Sequence, residues 1–140
     1  MNKEKIAFIP RQYLAVIAVL LAIMMSVLDG TIMNIALPTL AHDFDVTPST
    51  AIWIVNAYQL VITMTLLSFA SLGDIYGYRR IFLIGISIFV GASLACTLST
   101  SFWMLTAARV IQGFGAACVM SVNTALIRLI YPPQILGRGM

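Results

Sequence analysis

The sequence predicts an all-α integral membrane protein with four transmembrane helices. Hydrophobic residues make up 61% of the 140-residue chain and charged residues 9%, whereas soluble domains are about 45–50% apolar and about 25% charged. The stretches 47–73 and 81–108 carry no charged residue, and each exceeds the roughly 20 apolar residues that cross a bilayer. The charged segment Leu72–Arg80 joins them and is expected to turn the chain at one membrane surface.

The first two helices are predicted at about 12–35 and 49–72, within a membrane region of 12–131. Pro38 is expected to mark the end of the first helix, because proline cannot donate the next helical hydrogen bond. A polar loop at about 41–48 follows. Thr47 and Pro48 are a typical cap and first-turn proline for the second helix.

The third and fourth helices are predicted at about 81–98 and 102–130. Ser99-Thr100-Ser101 forms a very short turn between them, and the fourth helix ends before Pro132-Pro133. Residues 132–140 are expected to begin a cytoplasmic connection to further helices, so that the chain is the N-terminal part of a longer protein.

The basic residues predict the orientation. Of the eight Lys and Arg residues, all but Arg109 lie in the N-terminal tail, between the second and third helices, or at the end of the fourth. The two opposite turns contain no Lys or Arg. By the positive-inside rule, the tail 1–11 is therefore cytoplasmic, in a plasma-membrane protein. Aromatic residues near helix starts are interpreted as interface anchors: Trp53, Tyr58 and Trp103.

Two charges, Asp29 and Arg109, lie within the predicted spans. Asp29 is roughly 24 Å from the inner helix end at Tyr13, and Arg109 is roughly 10 Å from the outer end at Phe102, at 1.5 Å per residue. The two side chains are therefore expected at similar depth. Charged groups within a bilayer usually line a functional cavity or pair with each other. A proton or substrate site and a structural ion pair both remain open.

Small and polar residues surround both charges. Ser26, Gly30 and Asn34 recur at four-residue spacing and predict either a water-filled cavity or a close-packing face. Gln112 follows Arg109 by three residues and is expected to orient the guanidinium. The small residues of the fourth helix favour close helix packing: Gly113, Gly115 and Ala117.

Asp74 is placed against its local field, because a helix C-terminus disfavours an anion. Arg79 and Arg80 are likewise placed against the dipole at the start of the third helix. A latch between moving halves and a local salt bridge from Asp74 to an arginine both explain this placement.

The sequence contains no nucleophile–base pair, metal cluster or phosphate loop, so neither an enzyme nor a metal or other cofactor is predicted. Cys96 and Cys118 fall in apolar runs and are interpreted as small buried hydrophobes. The basic residues are dispersed at helix ends, which excludes a nucleic-acid-binding patch.

Three motifs together resemble the major facilitator superfamily. Leu72–Arg80 is similar to its loop motif G-x-L-a-D-r-x-G-r-r/k, with Ala70, Ile75 and Tyr78 as departures. Leu105, Arg109, Gln112, Gly113 and Gly115 resemble the l-x-x-x-R-x-x-q-G-x-g motif of its proton-coupled antiporters. Leu28–Pro38 resembles the L-D-x-T-I-V-N-V-A-L-P signature of the fourteen-helix drug:proton antiporter branch.

The resemblance implies that the four helices are the first four of a major-facilitator-type six-helix half. It also implies proton-driven efflux of drugs or other amphipathic compounds by alternating access. It implies proton coupling at Asp29 and Arg109 and a conformational switch at Asp74, Gly77, Arg79 and Arg80. The partners implied are protons, amphipathic substrates, the lipid bilayer and C-terminal helices beyond the chain. Two alternatives remain: a small four-helix multidrug transporter acting as a dimer, and a non-transporting truncated membrane fragment.

Overall fold

The computed structural model describes the backbone of residues 9–130 and the side chains of residues 17–122. Residues 1–8 of the predicted tail and the predicted connection 132–140 lie outside the described residues. The described backbone consists of helices α1 (Ile9–Asp43), α2 (Pro48–Tyr76), α3 (Tyr78–Thr97) and α4 (Phe102–Ile130). Each contains a segment long and apolar enough to cross a membrane. The predicted all-α fold with four membrane spans is confirmed.

Helix α1 is longer than predicted. It begins at Ile9 and continues past Ile35, through Pro38, to Asp43. Pro38 cannot donate to the carbonyl of Asn34 four residues earlier, but membrane helices tolerate such a gap because leaving the helix would expose several more backbone groups to lipid. The loop to α2 shrinks to residues 44–47, and Asp45 adopts a positive φ of 51° within it.

The predicted start of α2 is confirmed. Thr47 has extended backbone angles, and its hydroxyl accepts a hydrogen bond from the backbone N–H of Thr50 at 3.3 Å. Pro48 follows as the first helical residue, where its missing N–H leaves no helical bond unmade.

The charged segment Leu72–Arg80 is mostly helical, which corrects the predicted ends at Leu72 and Ile81. Helix α2 continues to Tyr76 and α3 begins at Tyr78, so Gly77 alone separates them. Gly77 has φ 91° and ψ 131°, a conformation available to glycine but strained for other residues. Its N–H donates to the Gly73 carbonyl at 3.0 Å and closes α2. A single glycine therefore reverses the chain.

Helix α4 is the centre of the bundle. In the most apolar segment of α4, 67% of the residues are buried inside the bundle. The corresponding shares for α1, α2 and α3 are 22%, 11% and 28%. Contacts between Ile54 and Leu105 at one end and between Gly73 and Val122 at the other make α2 parallel to α4. Helices α1 and α3 run antiparallel to α4, so the chain passes up and down through the bundle.

Glycines on two faces of α4 set its distance from its neighbours. A Cβ at Gly113 would lie 3.0 Å from the Tyr58 carbonyl oxygen of α2, and one at Gly115 would lie 2.8 Å from the Gly85 carbonyl oxygen of α3. Ala117, on the same helix, is fully buried. These small residues bring the backbones together where a larger side chain would hold them apart.

Three apolar clusters divide the bundle along its length. One end holds the largest cluster, formed by Val19, Ala22, Ile81, Phe82, Cys118, Val119 and Val122. The middle cluster contains Tyr58, Phe89 and Ala116. The cluster at the other end contains Met33, Ile54 and Leu105. The middle and far-end clusters flank the charged residues Asp29 and Arg109.

Candidate functional site

Asp29 and Arg109 form an ion pair between α1 and α4. The Arg109 Nη1 donates to Asp29 Oδ2 at 2.7 Å. The Arg109 side chain is 5% exposed and the Asp29 side chain 18% exposed. The shared depth that the helix rise predicts therefore brings the charges into direct contact, with the aspartate closer to the surface of the bundle.

Gln112 connects the two charged residues. Its Nε2 donates to Asp29 Oδ1 at 3.1 Å, and its Oε1 accepts from Arg109 Nη1 at 3.0 Å. The Gln112 side chain is fully buried. Both oxygens of Asp29 are therefore engaged, one by the guanidinium and one by the amide. The three side chains form a closed hydrogen-bonded triangle whose formal charges sum to zero.

Tyr58 is part of this site, which corrects its interpretation as an interface anchor. It lies ten residues beyond Pro48, roughly 15 Å into α2 by the helix rise, and is 7% exposed. The Arg109 Cζ lies 5.7 Å from the centre of the Tyr58 ring, within the range of a cation–π contact. Trp53 and Trp103, in contrast, are exposed.

Cys96 of α3 also contacts the site. Its Sγ donates to Gln112 Oε1 at 3.6 Å, so the polar network includes a side chain from every helix once Tyr58 is counted. Its place in an apolar run points to a buried hydrophobe, and only the packing of α3 on α4 shows the thiol beside the amide. Within the described part of the chain, neither Cys96 nor Cys118 is in a disulfide.

Arg109 also forms part of the wall of a recess of about 70 Å³ between α1 and α2. The recess is lined by Gly30, Met33, Asn34, Ile54, Val55, Tyr58, Gln59 and Arg109. The Nε of Arg109 is buried and has no hydrogen-bond partner among the described residues. Both hydrogen bonds of the guanidinium in the triangle come from Nη1, so the N–H groups of Nε and Nη2 are not used by Asp29 or Gln112.

The stripe of Ser26, Gly30 and Asn34 on α1 is divided between two environments. A Cβ added at Gly30 would meet nothing within 4 Å, so this glycine borders open space beside the recess and does not make a close helix contact. Asn34 lines the same recess. The Ser26 hydroxyl instead donates to the Ala22 carbonyl at 3.0 Å, in the wall of a larger, mostly apolar recess of about 160 Å³ between α1, α3 and α4.

The proposed switch residues lie apart from the ion pair, at the α2–α3 junction. Asp74 accepts a hydrogen bond from the Tyr78 hydroxyl, and in the described part of the chain no ion pair joins it to Arg79 or Arg80. The local salt bridge considered from the sequence is therefore not formed. Asp74, Gly77, Arg79 and Arg80 are all exposed, while the Tyr78 ring packs against Gly73.

The sequence profile of the Major Facilitator Superfamily matches residues 19–140, a range that contains all of these groups. The chain belongs to the Major Facilitator Superfamily. Members of this superfamily are multi-pass membrane transporters, in agreement with the four membrane-spanning segments of the described chain. Membership in this superfamily agrees with the motif resemblance and not with the small four-helix transporter class.

Individual superfamily members are similar over most of the chain. It is 58% identical over 132 residues to the uncharacterized transporter YebQ of Escherichia coli, with 94% of this chain and 29% of that protein covered. It is 35% identical over 130 residues to the riboflavin transporter RibZ of Clostridioides difficile, with 93% and 28% covered. It is 40% identical over 132 residues to the drug efflux pump JefA of Mycobacterium tuberculosis, with 94% and 26% covered. No solved structure gives a significant match.

The chain thus spans less than a third of the length of these three superfamily members. Their names describe different transported compounds, riboflavin in one case and drugs in another.

Proposed function

We propose that this chain supplies the first four helices of a proton-coupled exporter of amphipathic small molecules in the plasma membrane, with its N-terminus in the cytoplasm. One observation carries the proposal: a carboxylate, a guanidinium and an amide form a closed network inside the membrane spans. Ionisable groups at membrane depth are costly and typically mark ion or substrate pathways. The drug efflux pump among the relatives supports export of drug-like compounds.

Asp29 is the proposed proton carrier. With Asp29 ionised, its charge and that of Arg109 cancel. When a proton binds the carboxylate, the charge of Arg109 loses its counter-ion, while the Gln112 oxygen and the Tyr58 ring still hold the guanidinium. An uncompensated buried charge is unfavourable, so proton uptake favours any conformation that hydrates Arg109 or gives it a new partner. This differential stability is what couples a proton to a conformational change.

Asp74, Gly77, Arg79 and Arg80 form the proposed conformational switch. Their exposure at one end of the bundle leaves them accessible to helices beyond this chain. Alternating access requires two halves to rock against each other around a central site. The hydrogen bond from Tyr78 holds Asp74 at the junction, where a partner from the other half would compete for it.

The test is Asp29→Asn in the full-length transporter, reconstituted into proteoliposomes. We expect the variant to insert normally but to lose proton-gradient-driven transport, tested with ethidium and with the uncharged 7-amino-4-methylcoumarin, and the accompanying proton flux, measured with a pH-sensitive dye. Asp45→Asn is the matched control, because Asp45 lies in the exposed α1–α2 loop and asparagine tolerates its positive φ. Unchanged coupling in Asp29→Asn would leave a structural ion pair as the role of the site.

A further inference from the structure

We infer that the recess beside Arg109 binds a hydrogen-bond-accepting oxygen of an uncharged substrate, of the kind that a ring carbonyl supplies. This inference rests on the proposed transport function and assigns a substrate chemistry to its site. The recess is the space of about 70 Å³ between α1 and α2 that is defined above.

The first argument is the unused donor of Arg109. The residue is 4% exposed, and its buried Nε has no hydrogen-bond partner within the described residues. Leaving a buried donor unsatisfied costs about 1–3 kcal/mol, and more for a charged group. Such groups are rare in folded proteins and call for a bound partner. Nη2 has no hydrogen-bond partner among the described residues either, and unlike Nε it is not enclosed, so an oxygen in the recess can accept from the guanidinium without disturbing the pair with Asp29.

The second argument comes from the other polar side chains of the recess. Asn34 and Gln59 are exposed within membrane-spanning helices, and neither side chain bonds to another described side chain. Tyr58 likewise offers a hydroxyl without such a partner. These side chains line the recess and therefore offer hydrogen bonds to water or to a polar ligand within it.

The charge balance favours an uncharged ligand over a cation. Arg109 is the one charged residue in the lining, and the carboxylate that neutralises it already has both oxygens engaged by Arg109 and Gln112. A substrate ammonium placed in the recess would meet the guanidinium and find no free carboxylate. An uncharged carbonyl oxygen meets the donors of Arg109, Tyr58 and the side-chain amides of Asn34 and Gln59 without charge repulsion.

The shape of the recess suits the edge of a flat ring. Met33, Ile54 and Val55 supply apolar walls beside the polar groups. Its volume of about 70 Å³ exceeds the roughly 30 Å³ share of one water molecule but is too small for a whole drug-sized molecule. The carbonyl edge therefore enters the recess, and the rest of the substrate lies outside it.

The test compares binding of two fluorescent probes to the full-length transporter in lipid nanodiscs. 7-Amino-4-methylcoumarin is uncharged and has a ring carbonyl, whereas ethidium is a flat cation without one. We expect the coumarin to bind more tightly than ethidium. Gln59→Glu adds a carboxylate beside the recess. It should therefore lower the affinity for the coumarin and raise the affinity for ethidium, each by about tenfold. Tyr58→Phe keeps the ring under the guanidinium and should weaken only the coumarin.

Leu60→Met is the matched control, because Leu60 is an exposed neighbour of Gln59 outside the recess, and both probes should bind it as they bind the unaltered protein. The inference is wrong if the unaltered protein binds ethidium as tightly as the coumarin, if it binds neither probe, or if Gln59→Glu leaves their ratio unchanged. Proton flux through the same variants, reconstituted in proteoliposomes, separates the two proposals. If the unaltered transporter couples transport to protons but shows no preference for the coumarin, the inference alone is rejected. If it prefers the coumarin but moves no protons, the proposed function is rejected.

Discussion

Gly115 of α4 lies directly against the backbone of Phe89 on α3. A Cβ at Gly115 would be 2.6 Å from the Phe89 nitrogen and 2.9 Å from its Cα, distances that side-chain carbons do not adopt in folded proteins. The contact sets how closely α3 packs on α4, the pair of helices that also brings Cys96 to Gln112.

Gly115→Ala should destabilise the bundle, because the new methyl group collides with backbone and not with a side chain that can move. Overpacking of this kind costs about 1–3 kcal/mol. The measurement is the thermal midpoint of the purified transporter in detergent. Gly91→Ala is the control, since a Cβ there meets nothing within 4 Å and its midpoint should not fall. Equal midpoints for both variants would contradict the close contact.

Removing one member of the Asp29–Arg109 pair should be worse for stability than removing both. Arg109→Ala leaves the Asp29 carboxylate without its cation, and breaking a buried pair in this way costs about 3–5 kcal/mol, whereas replacing both charges costs much less. We expect the Asp29→Asn/Arg109→Gln double variant to melt at a higher temperature than Arg109→Ala. A lower melting temperature for the double variant than for Arg109→Ala would show that the two charges do not stabilise each other.

Gln112→Leu should lower stability while preserving volume. The substitution removes the donor to Asp29 and the acceptor for Arg109 and Cys96, at about 1–3 kcal/mol for each group left unsatisfied. The thermal midpoint again reports the loss, and Ile111→Leu at the exposed neighbouring position is its control. An unchanged midpoint for Gln112→Leu would show that water replaces the amide freely.

Gly77→Ala should weaken the α2–α3 reversal. The φ of 91° at Gly77 is unfavourable for a residue with a Cβ by about 1–2 kcal/mol, although open space surrounds the glycine. We expect a lower thermal midpoint together with slower transport, because both conformations of the transport cycle need the chain reversal that Gly77 makes. Ser71→Ala, at an exposed position near the same end of α2, should change neither. A fully active and stable Gly77→Ala transporter would count against this view.

The helix ends show where sequence reasoning is weakest. Pro38 is a sound stop signal in water, yet α1 passes through it to Asp43 because a bilayer penalises unwound backbone more than one missing hydrogen bond. The charged residues of the α2–α3 segment predict a turn, but charge does not unwind a helix. The reversal needs only the positive φ of Gly77.

Within the candidate site, the Asp29–Arg109 pair follows from arithmetic on the helix rise, since a membrane imposes a common depth scale on every span. No comparable feature of the sequence indicates that Tyr58 and Cys96 belong to the site. An aromatic residue and a thiol are ordinary in apolar helices, and which of them reach Arg109 and Gln112 depends on how α2 and α3 rotate about their axes.

Composition and residue spacing along single helices were enough to predict four membrane-spanning helices and two opposite charges at one depth. The motifs added the resemblance to the major facilitator superfamily. Which groups close the network, and which remain unpaired, depends on how the helices pack. Gln112 bonds to both charges, Tyr58 lies under the guanidinium, and the Nε of Arg109 has no partner in the described chain. This is because hydrogen bonds depend on distances of a few ångströms between helices, and the glycine contacts of α4 bring α2 and α3 to that distance.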